Sequence, residues 1–474
     1  MTEGPSRAPD APGARGVHGE WGTDALILAV VKMAIGAWVL HQGFSHVSDD
    51  DYARTVISER FVHAPRLDPS GTSWLPLPFW IEGTAMALGG RTLGVARAVA
   101  GTLGAATVAA PYLAMRTVGM QRAAALAATA VAMALPWNAW LGVATVPEGW
   151  SGAVLAAAVI AMGHVDARPW AAAGVLVASL CRYEAWAACL VLVGLCAWSA
   201  RRGGRWRREV VCATVAAVGP LAWMIWNAHA HGSPTHFLTR VATFRQTIGA
   251  AGAPLADKLF GYPRALGVDT PEVVAIGILG VVGVAVSPAL QARWAWPAIA
   301  VLATFGMLVW GDVHDGAPTH HAARALAMTW WVLVAMGVDA VAKGLGRVGN
   351  GRSASTPEHL WGLSPGTMSA VACAAAACLA CLVWGISLPA RWADAPGRTP
   401  AERRDAQITR GLELRAEDAP DADITPCAYE HFALLAAWGA PERATIEAAT
   451  HQPPGPDCPR VDTPLEGSST TPPR

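Results

Sequence analysis

Long apolar runs limit what this chain can fold into. Stretches of about 17 to 25 residues with few charges are long enough to cross a bilayer as helices. They recur at 25–43, 94–115, 123–141, 148–164, 209–228, 272–290, 294–311, 324–342 and 366–388. Where lipid replaces water, backbone hydrogen bonds must close within each segment, so the sequence predicts an all-α polytopic membrane protein. Composition agrees: 53% of the residues are hydrophobic and only 15% are charged, against about 25% charged in ordinary soluble domains. The formal net charge is zero, which gives nucleic acid no electrostatic footprint to bind.

Residues 168–200 admit two readings, because Cys181-Arg182-Tyr183-Glu184 places charge in the middle of an apolar stretch. One tilted helix there gives ten spans, and a hairpin gives eleven. The basic segments at 116–122, 201–208 and 343–352 belong on the cytoplasmic side, by the positive-inside rule. All three fall together only with the hairpin. The expectation is therefore about eleven transmembrane helices, with a cytoplasmic N-terminal tail at 1–24, a transmembrane domain at 25–388 and an extracytoplasmic tail module at 389–474. The N-terminal tail is rich in Pro and Gly and shows no cleavage pattern, so the first apolar run reads as a retained signal anchor.

With that topology the charges at span ends gather outside. The first external loop, 44–93, opens with Ser48-Asp49-Asp50-Asp51. Carboxylates at a membrane boundary mark a site, or else sit just beyond the hydrocarbon and are hydrated. In the plainer version Ser48 or Asp49 caps a helix and the acids complement its dipole. Asp50 and Arg54 are spaced to pair on one helical face. Trp74-Leu75-Pro76-Leu77-Pro78-Phe79-Trp80-Ile81-Glu82 then begins a helix too interrupted to span, expected at the membrane interface where Trp is favoured. Glu148, Arg182, Glu184, the 229–270 loop with Lys258 and Arg264, and the 312–324 loop with Asp312, His314, Asp315, His320, His321 and Arg324 are expected on the same face.

The order of these features resembles the GT-C membrane glycosyltransferases, among them protein O-mannosyltransferases and lipid A aminoarabinose transferases. The first span is followed by Asp49 and Asp50, by Arg54, by Leu77-Pro78-Phe79-Trp80, by a break at Gly89-Gly90-Arg91, and by Ala96-Arg97 opening the second span. The likeness is clearest over 25–200, weaker to 342 and absent from the tail. It implies a GT-C-like fold in a bacterial inner membrane and a sugar donor carried on polyprenyl phosphate. It also implies a glycan, lipid or protein acceptor outside the cytoplasm. A first-loop acid that acts as base or holds the acceptor corresponds to Asp49 and Asp50. The chain departs from the family in its third acid, Asp51, and in having Trp74-Leu75-Pro76 where the aminoarabinose enzymes have Lys-Pro-Pro. No donor sugar is therefore implied.

The chemistry accounts for the residue types. An acceptor hydroxyl attacking an anomeric carbon must lose its proton, and a carboxylate within hydrogen-bond reach can take it. A second acid can orient the acceptor, raise the first acid's pKa, or bind a divalent cation such as Mg or Mn with the phosphate. The departing lipid phosphate needs cations or fixed donors, here Arg182, Arg324 and His320 or His321. Asp51, Arg54, Glu148, Glu184 and Lys258 complete the expected substrate-binding set. Each has a plainer reading: Arg182 pairing with Glu184, Arg324 anchoring a helix end, Glu148 complementing a helix dipole, Lys258 meeting anionic headgroups of membrane lipids. No His or Cys spacing matches a zinc site.

The rival function is a lipid or small-molecule transporter or flippase. That class places its ionisable groups near the midplane, often with internal repeats, whereas these residues gather at one face. Gly344-Leu345-Gly346-Arg347-Val348-Gly349 fits a dinucleotide-binding pattern but follows a membrane segment rather than a strand, and is expected to be a cytoplasmic loop. Most cysteines lie in apolar segments. Cys427 and Cys458 lie outside them and can pair if the tail is in an oxidising compartment. The tail is expected to carry a mixed-charge surface helix over 402–417 and an amphipathic helix after Pro426.

Overall fold

The structure is a computed structural model that describes residues 14–71, 73–203, 205–247, 253–314, 322–350, 391, 404–424 and 431–446. Its described residues are almost all helical. Helices α1 (Ala14–His41), α2 (Asp50–His63), α3 (Leu77–Gly89), α4 (Leu93–Thr107), α5 (Ala109–Thr117), α6 (Arg122–Ala134), α7 (Pro136–Leu141), α8 (Glu148–Ala161), α9 (Arg168–Ser179) and α10 (Ala185–Arg201) build the N-terminal half. Helices α11 (Trp206–His231), α12 (His236–Thr247), α13 (Leu255–Asp269), α14 (Pro271–Val286), α15 (Pro288–Val313), α16 (Ala322–Ala325) and α17 (Ala327–Asn350) follow. The tail adds helices Asp405–Ala416 and Phe432–Trp438 and a parallel pairing of two short strands, β1 (Ala422–Ile424) and β2 (Ala444–Ile446). That pairing is the exception to the all-α expectation.

Among the described residues, four helices are long and apolar enough to cross a membrane: Glu20–His41, Leu93–Thr117, Trp206–His231 and Pro288–Val313. The pair α13 and α14, bent by 104°, makes a fifth if it is one span. Arg122–Ala134, Glu148–Ala161 and Ala185–Arg201 are apolar but shorter. The stretch 168–200 forms two helices, α9 and α10, as the hairpin alternative requires. The expected span 366–388 lies outside the described residues.

Several boundaries differ from expectation for identifiable reasons. The segment 123–141 breaks where Pro136 removes a backbone donor and disfavours helix at Leu135, whose φ of −54° and ψ of 135° leave the helical region. Lys32, buried in α1, answers this break: its Nζ donates to the carbonyls of Asn138 at 2.6 Å and Met133 at 3.4 Å. The loop expected between 290 and 294 is absent. Ser287 alone, extended, separates α14 from α15, which begins at Pro288 where proline's missing N–H costs nothing. The segment 229–270, expected as a long loop, holds α12 and α13. The glycine-rich 344–349 segment continues α17 rather than forming a loop.

Helix α17 is the axis of the core. Its Trp330, Val332 and Val334 are wholly buried, and Trp294 of α15 packs in the same cluster. Against α14 the approach is closer than side chains allow: a Cβ on Gly337 would lie 2.2 Å from the Ile276 carbonyl oxygen, and one on Gly280 would lie 2.9 Å from the Gly337 nitrogen. Small residues at a helix crossing are the usual way membrane helices gain contact. At the end of the bundle remote from the Asp triplet, ion pairs tie helix ends together: Arg122–Asp24 at 2.8 Å, Arg168–Glu209 at 2.6 Å and Arg293–Asp339 at 2.5 Å. Because backbone rather than a movable side chain blocks the site, Gly337→Val should destabilise the fold by about 1–3 kcal/mol or more. Thermal unfolding of the purified protein in detergent would register this as a lowered midpoint.

Candidate active site

The site is built from chain ends that converge at one end of the bundle: the start of α2, the first turn of α8, the α9–α10 turn and α16. Glu148 stands at the first position of α8, after Pro147. Its Oε1 accepts from Arg182 Nη1 at 2.8 Å and from Arg324 Nε and Nη2 at 2.9 and 2.6 Å. Arg324 is 1% exposed, and its Nη1 continues to Ser48 Oγ and to Asp50 Oδ2, both at 2.9 Å. Arg182 in turn donates through Nε to Glu184 Oε2 at 3.2 Å and pairs through Nη2 with Oε1. Asp50, Glu148, Arg182, Glu184 and Arg324, five of the expected site residues, thus form one connected network. A cavity of about 20 Å³, room for a water-sized group, is lined by Glu148, Arg182, Glu184 and Arg324.

The three aspartates have separate environments. Asp51 is buried, and four donors occupy its carboxylate: Val47 N and Ser48 N on Oδ2, Thr145 N and Oγ1 on Oδ1. It pins the loop that follows α1 to the turn before α8. Burial raises its pKa above the usual carboxylate value, against the pull of His46, Arg324 and the backbone donors. Asp50 keeps 26% of its side chain exposed. Asp49 occupies the cap position of α2 but makes no capping bond. Its carboxylate takes both arms of Arg404 from the tail, at 3.1 and 3.0 Å. Arg54, expected to face Asp50, lies with its guanidinium carbon 4.5 Å from the Trp74 ring centre and 5.5 Å from that of Phe79. Its Nε and Nη1 are buried without a hydrogen-bond partner. At the α9–α10 turn, burial works against the charge of Arg182, but Glu148 and Glu184 outweigh it and raise its pKa.

Of the remaining expected residues, Lys258 lies half-buried on α13. His320 and His321 lie outside the described residues, as do Asp315, Cys427 and Cys458. His314 bonds through Nδ1 to the Trp310 carbonyl at 2.8 Å, and Asp312 pairs with Arg245 at 2.6 Å. His231 and His236 stack with ring centres 4.2 Å apart. Among the described residues no group of three His, Cys, Asp or Glu side chains is placed to hold a metal ion.

Three contributors carry no local sequence signal. Arg404 meets Asp49 across 355 residues. Glu59 on α2 and Glu82 on α3 are both buried, and both Glu59 carboxylate oxygens and Glu82 Oε1 lack a hydrogen-bond partner. Nothing in the spacing of either glutamate sets it apart from a solvated helix acid.

No protein-family model and no curated protein matches the sequence significantly. Solved structures do resemble the chain. The crystal structure of ArnT from Cupriavidus metallidurans bound to undecaprenyl phosphate superposes with a TM-score of 0.50 at 15% identity, over 92% of this chain and 90% of that one. The apo structure of the same protein gives 0.49 at 14% identity over the same shares. The first match shows the fold alone: the chain shares the largely helical architecture of that ArnT structure, with helices long and apolar enough to cross a membrane. A share of 92% extends the likeness into the tail, which the sequence motifs do not reach.

Burial pushes Glu82 up to about 8, and burial together with the Glu82 charge pushes Glu59 well above the usual range. A carboxyl raised in the folded state holds its proton more tightly than the unfolded chain does, so stability is lost as pH rises from the unfolded value near 4.5 toward the folded one. Unfolding midpoints should therefore fall between about pH 4.5 and 8, and Glu82→Gln should flatten that slope. An equally steep slope in the variant would contradict the assignment.

Proposed function

We propose that the chain is an integral membrane glycosyltransferase that moves a sugar from a polyprenyl-phosphate donor to an extracytoplasmic acceptor. The observation that carries this reading is the network in which Arg324 and Arg182 meet Glu148 and Asp50 at hydrogen-bond distance. It is supported by the GT-C fold, whose ArnT representative was crystallised with undecaprenyl phosphate. The proposed active face is the extracytoplasmic one and the proposed location the bacterial inner membrane.

In this reading Arg182 and Arg324 receive the donor phosphate, and the buried Glu148 holds their guanidinium planes. Asp50 is the base. The acceptor oxygen bonds to the anomeric carbon as the bond from that carbon to the phosphate oxygen breaks. The acceptor proton goes to the Asp50 carboxylate, and the phosphate leaves with the electron pair, its charge met by the two arginines. A phosphate arriving at Arg324 Nη1 would compete with Asp50 Oδ2 for the same donor. Donor binding and release of the base are then one event. Asp51 positions Asp50 by fixing the loop, and Asp49, held by Arg404, is the alternative base or an acceptor-binding group. Arg54, Glu184, Lys258, His320 and His321 are assigned to substrate binding, with Arg54 presenting unpaired donors beside Trp74.

A transporter would centre its charges at mid-membrane. Lys32, the buried lysine inside α1, is instead bonded to carbonyls of a broken helix. Transfer of glycan from native membrane lipids should fall at least about 100-fold in Asp50→Asn, as loss of a general base predicts, with a smaller loss in Asp49→Asn. Unchanged thermal unfolding would separate this from misfolding. Full transfer by both folded variants would contradict the base assignment.

A further inference from the structure

A second cavity lies between the tail and the turn that joins α3 to α4, away from Glu148. Its volume is about 190 Å³, and Arg91, Arg415, Asp418, Trp438 and Arg443 line it. The tail packs here through Leu414, Leu435 and Trp438 onto Tyr52 and Val56 of α2. Gly439, with φ of +76°, turns the chain so closely past the α3–α4 turn that a Cβ would sit 2.3 Å from the Arg91 carbonyl oxygen. Only glycine tolerates both that angle and that approach.

The three arginines are fixed without being used up. Arg91 bonds to Glu442 at 2.8 Å, Arg415 to the Arg91 carbonyl at 2.7 Å, and Arg443 to Asp418 and the Ala419 carbonyl at 2.9 and 3.1 Å. Each of these bonds runs through Nη1. A guanidinium carries further N–H donors on Nε and Nη2, and among the described residues no hydrogen bond engages those nitrogens in any of the three. Arg91 and Arg443 are matched by Glu442 and Asp418, whereas Arg415 pairs with no carboxylate among the described residues, so the cleft keeps a positive charge together with the spare donors. The planar guanidinium forks suit an oxyanion bound by two or more of them. Plain stapling of the tail would need the Arg91–Glu442 pair and the Arg415 bond to the Arg91 carbonyl. It would not need a third arginine and an open polar cleft.

We propose that this cleft is a second anion site, binding a phosphate or carboxylate group. The group comes from an anionic lipid headgroup or from a soluble ligand on the same side of the membrane. The inference does not depend on glycosyl transfer. It is tested by calorimetric titration of inorganic pyrophosphate into the full-length protein in phosphatidylcholine nanodiscs. Saturable binding should weaken about tenfold or more in Arg443→Gln and in Arg415→Gln, and less in Arg443→Lys, which keeps the charge but not the fork. Arg410→Gln, on the same tail helix but outside the cleft, should leave it unchanged. Repeating the titration with phosphatidylglycerol in the disc separates the sources. Loss of pyrophosphate binding there assigns the cleft to lipid, and retention assigns it to a soluble ligand. No binding to the wild type, or equal binding by Arg443→Gln and Arg415→Gln, overturns the cleft and leaves the transfer reading untouched, because the phosphate would then be held elsewhere.

Discussion

The arrangement at this end of the bundle depends on one carboxylate, Glu148, shared by two guanidiniums from opposite halves of the chain. Desolvating such a cluster costs about as much as its attraction returns, whereas removing one partner from a buried pair costs about 3–5 kcal/mol. The network is therefore weak evidence of stability and strong evidence of placement. Through Glu148 the first turn of α8 fixes the α9–α10 turn and α16, and through Arg324 it reaches Ser48 and Asp50 at the start of α2. Asp51 closes the same circuit from the other side by gripping Thr145, three residues before Glu148. An acid and two cations that must act on a phosphoryl sugar would have to be held in this way, since misplacement of about 1 Å is costly in catalysis.

The tail extends the circuit. Arg404 grips Asp49 at the start of the helix Asp405–Ala416, and that helix ends beside Arg415 and Asp418 at the second cleft. Twelve residues of helix span about 18 Å. One rigid element therefore links the first-loop acids to the arginine cleft. Its inner face packs on the helix Phe432–Trp438, which in turn packs on α2, the helix that carries the acids. A ligand in the cleft and a group at the Asp triplet would sit on opposite ends of the same strut.

Much of the bundle is legible from hydropathy alone, because each apolar run has one solution in lipid. The hairpin at 168–200 followed from where Arg residues sit in the loops, and the convergence of Asp50, Glu148, Arg182 and Arg324 on one end followed from alternating spans. The breaks were not legible where proline works with a distant partner. Nothing near Pro136 announces that Lys32 will bond to the Met133 and Asn138 carbonyls on either side of it, and Ser287 gives no local sign that one residue suffices between α14 and α15. The roles within the triplet were also hidden. Three identical side chains in a row differ only by which partner each finds: Arg404 for Asp49, Arg324 for Asp50, Thr145 and the loop backbone for Asp51. Apart from the loop backbone, those partners come from 94 to 355 residues away, beyond any motif.

The central claim is that Arg324 exchanges Asp50 for a donor phosphate. An electron cryomicroscopy structure of the protein in nanodiscs with a polyprenyl phosphate tests it directly. The account predicts phosphate density within hydrogen-bond distance of Arg324 and Arg182, with Glu148 in place and Asp50 released from Arg324 toward the open side of the site. Phosphate bound elsewhere, with the Asp50–Arg324 pair intact, would contradict it.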